Sequence, residues 1–417
     1  MTKIRFNNTK LTKSVGTASL SDLLPPPVTL FKTLDNPNVY GSTSGDLFAN
    51  SVNIADGYAI CGAMYEGDSG GTLSGAAYIF DVATGNLLHT LTNPNAYSTS
   101  AGDSFGFAVD INGTYAAVSA KNEDVGGTQS GTVYVYNTVT GSLVYTIHNP
   151  NAFSTALADE FGYSVSISGN YLVVGAPSED DGALGVGDNS GKVYVFDLTT
   201  GNLSYTIDNP NIDSSKSKNK FGIKLNADDA HIIVSASYTD TSTKSGVVYI
   251  FDVTDGTLLH TIDNPNAYGT PFNDYFGGSN GESVSISGNY AVASTSEEDD
   301  AAGTNSGAAY IFDVNTGGLL HTLTNPNIYS TSTGDTFGYS CVTNGEYVFV
   351  GANGEDTPTD TNVGVIYMYD VVSGALLRTI QIPDINFKSF GVKMAIDGNY
   401  AVFAAYERAY IYEIGTL

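Results

Sequence analysis

Acidic side chains recur in this sequence at fixed places, and they are the residues best suited to chemistry. Glu123-Asp124, Glu179-Asp180-Asp181, Glu297-Glu298-Asp299-Asp300 and Glu355-Asp356 occupy equivalent positions after a short apolar stretch. Asp103, Asp159, Asp274 and Asp335 each stand two residues before a phenylalanine. Carboxylates brought together from two loops can cage a hard divalent cation, with carbonyl oxygens completing the shell. Asp124, Asp180, Asp181, Asp299, Asp300 and Asp356 are therefore candidate Ca2+ ligands. The competing expectation is a solvated acidic rim in which aspartates cap turns. Repetition favours the rim, because duplication of a unit copies a capping device along with everything else.

One place breaks the acidic pattern. Lys216, Lys218 and Lys220 precede Phe221, and Lys224 and Lys244 lie close by in sequence. They could form a docking patch for an acidic partner or a neighbouring subunit. They could equally be drift on a solvated loop. The remaining reactive side chains offer little. His89, His260 and His321 share one Leu-Leu-His-Thr context and read as a repeated surface residue, while His148 and His231 are isolated. No Ser-His-Asp grouping is visible. The carboxylates are too many and too alike to single out a glycosidase pair. Cys61 and Cys341, the only cysteines, are expected to be free buried thiols. The expectation is a chain that is not an enzyme and carries no organic cofactor.

Composition narrows the partners. Sixteen Lys and Arg face 43 Asp and Glu, for a net charge of −27. Sequence-independent nucleic-acid binding needs a basic surface and is not expected. No apolar run approaches the ~18 residues of a spanning helix, so membrane insertion is not expected. A hydrophobic fraction of 41%, with aromatics along the whole chain, argues against disorder.

The elements that must hold these residues come from a repeat. Asn-Pro-Asn recurs with its proline at 37, 94, 150, 210, 265 and 326, and a degenerate copy follows at Pro383. Residues 161–208 show the unit: FGYSVSIS, a Gly-Asn turn, YLVVGAP, an acidic loop, GKVYVFD, an LTTG turn and NLSYTID. Each segment reads as a short strand, rich in Tyr, Val, Phe and Ile and bounded by turn residues. Four antiparallel strands per unit make a propeller blade. Phe48, Phe105, Phe161, Phe221, Phe276, Phe337 and Phe390 open seven units.

The last unit lacks a fourth strand, and residues 29–35 match the missing one. The expected fold is all-β: a seven-bladed β-propeller over 29–417, with blades near 46–91, 103–147, 159–207, 219–262, 274–323, 335–380 and 388–414 plus 29–35. The N-terminal strand completes the C-terminal blade. Short 1–2 and 3–4 turns should make one smooth face. The 2–3 loops and the 4–1 connections should share the other, where binding is expected.

The unit resembles the FG-GAP repeat of integrin α-type propellers, on Phe161-Gly162, Gly175-Ala176-Pro177 and the following VYVFD strand. That resemblance implies the propeller fold. It does not carry over the family's calcium sites, because Ser168-Gly169-Asn170 stands where a DxDxDG loop would be. Residues 249–256 (YIFDVTDG) are similar to repeats of quinone-dependent dehydrogenases. The chain has no Trp and no adjacent cysteine pair, which opposes that reading. The near-identical tandem units also resemble repeat proteins encoded by marine bacteriophages.

Residues 1–28 form a basic N-terminal arm outside the repeats. Lys3, Arg5, Lys10 and Lys13 face a single Asp22, and Pro25-Pro26-Pro27 stiffens the entry to the ring. Met1–Phe6 is not followed by an apolar h-region, so no signal peptide is expected. The expected function is that of a bacteriophage virion structural protein, tail- or capsid-associated. It would be made in the host cytoplasm and anchored to other virion proteins through its arm. The propeller would lie on the particle exterior, where it could contact a host-surface glycan or protein. The alternatives are a bacterial surface or secreted adhesin and, less favoured, a propeller hydrolase.

Overall fold

The computed structural model describes residues 25–38, 45–67, 72–94, 101–125, 129–150, 158–180, 189–210, 219–238, 245–265, 273–278, 281, 283–299, 305–326, 333–358 and 360–415. These residues form seven four-stranded antiparallel sheets. Six sheets are consecutive in sequence, spanning 48–92, 105–148, 164–208, 225–263, 284–324 and 337–381. The seventh takes three strands from 394–414 and its outermost strand, Val28–Asp35, from the N-terminal part. The ring is closed as the sequence predicts.

Within a blade the strands differ by position. Third strands such as Lys192–Asp197 are buried at every residue but the last. They are covered on both faces, which is why they read as unbroken apolar runs. Fourth strands such as Leu319–Thr324 form the exposed outer edge and bury only one residue well. The cores lie between blades: Ile60, Ile79 and Leu91 of the first blade pack with Phe105, Val118 and Tyr134 of the second. The Phe that opens each unit nests against two aromatics of its own third strand. Phe161 lies 5.5 Å from Tyr194 and 6.1 Å from Phe196.

The Phe-Gly and Gly-Ala steps have a physical reason. The residue before each opening Phe is left-handed in all seven blades, at Leu47, Ser104, Glu160, Lys220, Tyr275, Thr336 and Ser389. The residue after it is also left-handed, and it is glycine in every blade but the first, where Ala49 stands. This pair of bends carries the backbone across the seam. There Gly62, Gly175 and Gly351 lie against the carbonyls of Gly106, Gly222 and Gly391 in the next blade, leaving no room for a Cβ. The bends also shorten the first strands. Regular pairing begins only at Ser164, Leu225, Val284 and Met394 in four blades, not at the Phe that the sequence pattern suggested.

Side chains tie blade to blade on two levels. Around the axis, Ser51 Oγ accepts from Val109 N (3.0 Å), Asp110 Oδ2 from Ile167 N (2.6 Å) and Ser166 Oγ from Ala227 N (3.1 Å). Asn226 Oδ1 and Ser285 Oγ continue the series to Ile286 N (3.0 Å) and Thr343 N (3.1 Å). At the rim, His89 Nε2 lies 3.0 Å from Val139 O, and His321 Nε2 lies 2.8 Å from Val372 O. These histidines are half-buried ties, not the plain surface residues their repetition suggested.

The last seam is made by the chain's two ends. Val28 pairs with Ile414 and Asp35 with Arg408. Arg378 takes the place of the rim histidine and donates from Nε to Pro26 O (3.1 Å) and from Nη2 to Pro25 O (2.5 Å). Gly415 N donates to Pro27 O (2.8 Å).

Candidate functional site

The two faces of the ring are unequal, as expected from the loop lengths. The 1–2 and 3–4 turns are tight, and aspartates close the latter. Asp197 Oδ1 accepts from Thr199 N (2.8 Å) and Thr199 Oγ1 (2.7 Å), which holds its carboxyl below the usual carboxylate range. The 2–3 loops and 4–1 connections gather on the opposite face.

On that face the structure separates each acidic run into two roles. The first aspartate of each run closes its own loop. Asp124 Oδ1 accepts from Gln129 N (2.7 Å) and Asp180 Oδ1 from Asn189 N (3.0 Å). Asp299 Oδ1 accepts from Asn305 N (2.9 Å) and Asp356 Oδ1 from Asn362 N (2.9 Å). Asp181 and Asp300 lie outside the described residues. Among the described residues, no three His, Cys, Asp or Glu side chains converge as a metal-holding group. With Asp124 acting as a cap, Asp124→Ala should cost about 1 kcal/mol, read as a small drop in Tm. Were Asp124 instead to hold Ca2+, EDTA would lower the Tm of the parent and leave that of the variant in place.

The glutamate directly before that aspartate, and Glu66 at the equivalent place in the first blade, are not on a solvated rim at all. Glu66, Glu123, Glu179, Glu298 and Glu355 are each 1% exposed. Each sits in a seam beside an aspartate two residues before the opening Phe: Asp46, Asp103, Asp159, Asp274 or Asp335. The expected acidic rim is corrected here, because tyrosine and asparagine donors draw the carboxyls inward. Tyr78 OH donates to Glu66 Oε1 (2.5 Å), Tyr134 OH to Glu123 Oε2 (3.1 Å) and Tyr310 OH to Glu298 Oε2 (2.5 Å). The first Asn of Asn-Pro-Asn serves the aspartate. Asn36, Asn93, Asn149, Asn264 and Asn325 donate from Nδ2 to Asp46, Asp103, Asp159, Asp274 and Asp335 at 2.8–3.0 Å.

Burial first, and then the partner's charge, pushes these carboxyls up. Glu123 is pushed up to about 7 beside Asp103, and Asp274 to about 7 beside Glu298. Glu66 and Glu355 rise to about 7, and Asp159 to about 8. Nothing within one unit announces this burial, since the pocket walls come from two blades. One signal does exist between units. The fourth blade has Asn219 and Thr239 at the two acidic positions, so both carboxyls vanish together.

The lysine patch is only partly within view. Lys220 Nζ lies 3.8 Å from Glu160 and hydrogen-bonds Ser178 Oγ, which places it across the seam between the third and fourth blades. Lys121 reaches the same Glu160 at 3.2 Å. Lys216 and Lys218 lie outside the described residues, as do Lys3, Arg5, Lys10 and Lys13 of the arm. Lys224 is described and is buried, on the wall of the central channel.

That channel has a volume of about 650 Å³ and is walled by the first strands of all seven blades. Ser51, Asp110, Ser166, Asn226 and Ser285 on its wall are engaged in the blade-to-blade bonds already described. The two cysteines are buried and unbonded to each other, as expected.

No curated protein matches this chain. The FG-GAP repeat matches residues 41–80, 95–136, 155–196 and 267–312, which are the first three strands of the first, second, third and fifth blades together with the connections that lead into them. The fourth, sixth and seventh blades lie outside these matches; the fourth (Asn219, Thr239) and the seventh (Lys388, Arg408) depart at both acidic positions, and the sixth keeps Asp335 and Glu355. The chain is thus a closed seven-bladed β-propeller that carries FG-GAP repeats.

Proposed function

We propose that this propeller is a non-enzymatic structural and binding protein of a bacteriophage particle, held by its N-terminal arm with its loop face outward. One observation carries the reading. Pro25–Pro27 join the ring at the short-turn end, where Arg378 grips the Pro25 and Pro26 carbonyls. The long loops all lie at the other end. A chain segment entering there would attach the ring by its smooth face and present the variable loops to the surroundings. The resemblance of the tandem units to marine-phage repeat proteins supports the particle assignment. The commitment of polar channel and seam residues to structural bonds supports a non-catalytic role.

The test is recovery of partners from the native source by mass spectrometry, with the full chain and with residues 1–24 removed. Tail or capsid proteins recovered only with the arm are the expected result. Recovery of no particle protein with either form would overturn the virion reading. It would turn attention to a surface or secreted binding propeller, for which glycan arrays come next.

A further inference from the structure

We propose that the end of the central channel that opens on the loop face is a binding site for an acidic sugar, a hydroxylated ring that carries a carboxylate. The inference deepens the binding half of the function proposed above and takes nothing from its particle half.

The repeat breaks at this end of the channel. One place on each first strand has a carbonyl that accepts from the second strand. It is Lys224 from Ser235 N, Ser283 from Ser294 N and Lys393 from Ala404 N, each at 2.9 Å. Five blades have a small residue there, Ser51, Ala108, Ser164, Ser283 or Ser340, and the fourth and seventh have lysine. Both lysines are buried and line the channel. Their blades are three apart, as far as a ring of seven allows, so they reach the channel from opposite walls. The residue just before this place is Phe107, Tyr163 and Tyr339 in the second, third and sixth blades, and these rings line the same end. Drift would scatter such departures over the whole unit. Here they gather at one end of one cavity and bring positive charge and aromatic surface.

Rings and cations interlock. Phe107 and Tyr163 meet edge to face, with centroids 5.1 Å apart. Lys121 Nζ stands 4.7 Å from the Phe107 centroid and 5.5 Å from that of Tyr163, and Lys224 Nζ stands 5.6 Å from that of Tyr163. Such contact orients an ammonium group without neutralising it. Glu160 is shared by Lys121 (3.2 Å) and Lys220 (3.8 Å). Glu282, which precedes Ser283 in sequence, lies outside the described residues. Lys121, Lys220, Lys224 and Lys393 against those two carboxylates leave the mouth positive in a chain of net charge −27. The acids of the channel wall lie toward the other end. Asp110 comes late in Phe105–Ile111, Asp228 and Asp229 follow Leu225–Ala227, and Asp397 ends Met394–Asp397. A cleft of one sign concentrates ligands of the other, so an anion is drawn to the loop end.

The rest of the wall selects the body of the ligand. The channel's volume of about 650 Å³ is that of a small-molecule site. Beside and below the lysines its wall is hydroxylated. Ser51, Ser166 and Ser285 each accept from a backbone amide of the next blade, and a hydroxyl that accepts keeps its own proton to donate. A hydroxylated ring can take those protons while its apolar face lies on an aromatic side chain. A bare phosphate would engage the lysines and leave the rings idle. A neutral sugar would do the reverse.

The test is calorimetric titration of the full chain with glucuronate in dilute buffer, beside glucose, inorganic phosphate and the variant Lys224→Met. Glucuronate should bind saturably, one per chain. Its Kd should rise about tenfold or more in the variant and should also rise in about 1 M salt. Glucose should give no saturable heat. Failure of glucuronate to bind, or a Kd unchanged by Lys224→Met, would overturn the proposal. Glucose or phosphate binding as tightly as glucuronate would overturn it too, because the lysines or the rings would then contribute nothing. Should the variant not fold, saturation-transfer NMR of the parent decides. Irradiating the protein's aromatic protons must saturate the ring protons of glucuronate, and the absence of transfer would overturn the proposal. None of these outcomes touches the recovery of particle proteins through the arm, so the two readings fail separately.

Discussion

Removing residues 1–35 is expected to abolish cooperative folding, while removing residues 1–24 leaves the Tm unchanged within error. The difference between the two truncations is the strand Val28–Asp35 together with the prolines before it. That strand pairs with the last strand over seven registered positions, from Val28–Ile414 to Asp35–Arg408. It places Leu34 in the core at 1% exposure and Phe31 against Tyr400, with ring centroids 5.5 Å apart. Asp35 accepts from Arg408 at 2.5 Å. Without it the seventh blade has three strands and an open edge beside its buried third strand, a template for aggregation. The loss of a whole paired strand is comparable with the roughly 5–15 kcal/mol margin of a folded protein. Circular dichroism and limited proteolysis of the two truncations read the outcome. Equal melts would mean that the ring does not depend on its closing strand.

Gly131→Ala is expected to destabilise the protein by about 3–4 kcal/mol. Gly131 has φ +86°, where an L-residue is strained, and a Cβ there would collide with the Phe161 carbonyl oxygen. The obstacle is backbone on both sides, so relief means opening the seam between the second and third blades. Gly169→Ala is the control. Its φ is +53° and nothing lies within 4 Å of the added carbon, so only the conformational cost of about 1 kcal/mol remains. Chemical denaturation of both variants measures the difference. If the two fall equally, close backbone contact at the seam contributes nothing.

Much of this architecture is legible in the sequence because it is written seven times. The opening phenylalanines count the blades. The match between residues 29–35 and the other fourth strands predicts the closure that Val28–Asp35 makes. What lies in the seams is not legible in the same way. Leu47, Ser104, Glu160, Lys220, Tyr275, Thr336 and Ser389 share a left-handed backbone and almost nothing else. Packing of one blade on the next imposes that conformation, so no local propensity betrays it. The buried glutamates mislead for a related reason. Glu123-Asp124 looks like a solvated pair, yet Glu123 is 1% exposed while Asp124 stays outside capping its loop. Two neighbours of the same charge take opposite environments because successive side chains of the loop point into the seam and away from it. Only comparison among units, with Asn219 and Thr239 changing together, hints that the two acids answer to one another.

The way the first strand enters the ring also sets how the molecule bears mechanical load. A pull on Pro25 runs along the axis of Val28–Asp35, while the hydrogen bonds to Arg408–Ile414 run across it. All the registered pairs are then strained together in shear, and none can be peeled off alone from the pulled end. Arg378 and Gly415, holding the three proline carbonyls, steady that end against sideways tearing. A load on the loop face would reach Pro25 through the strongest direction the closing sheet has.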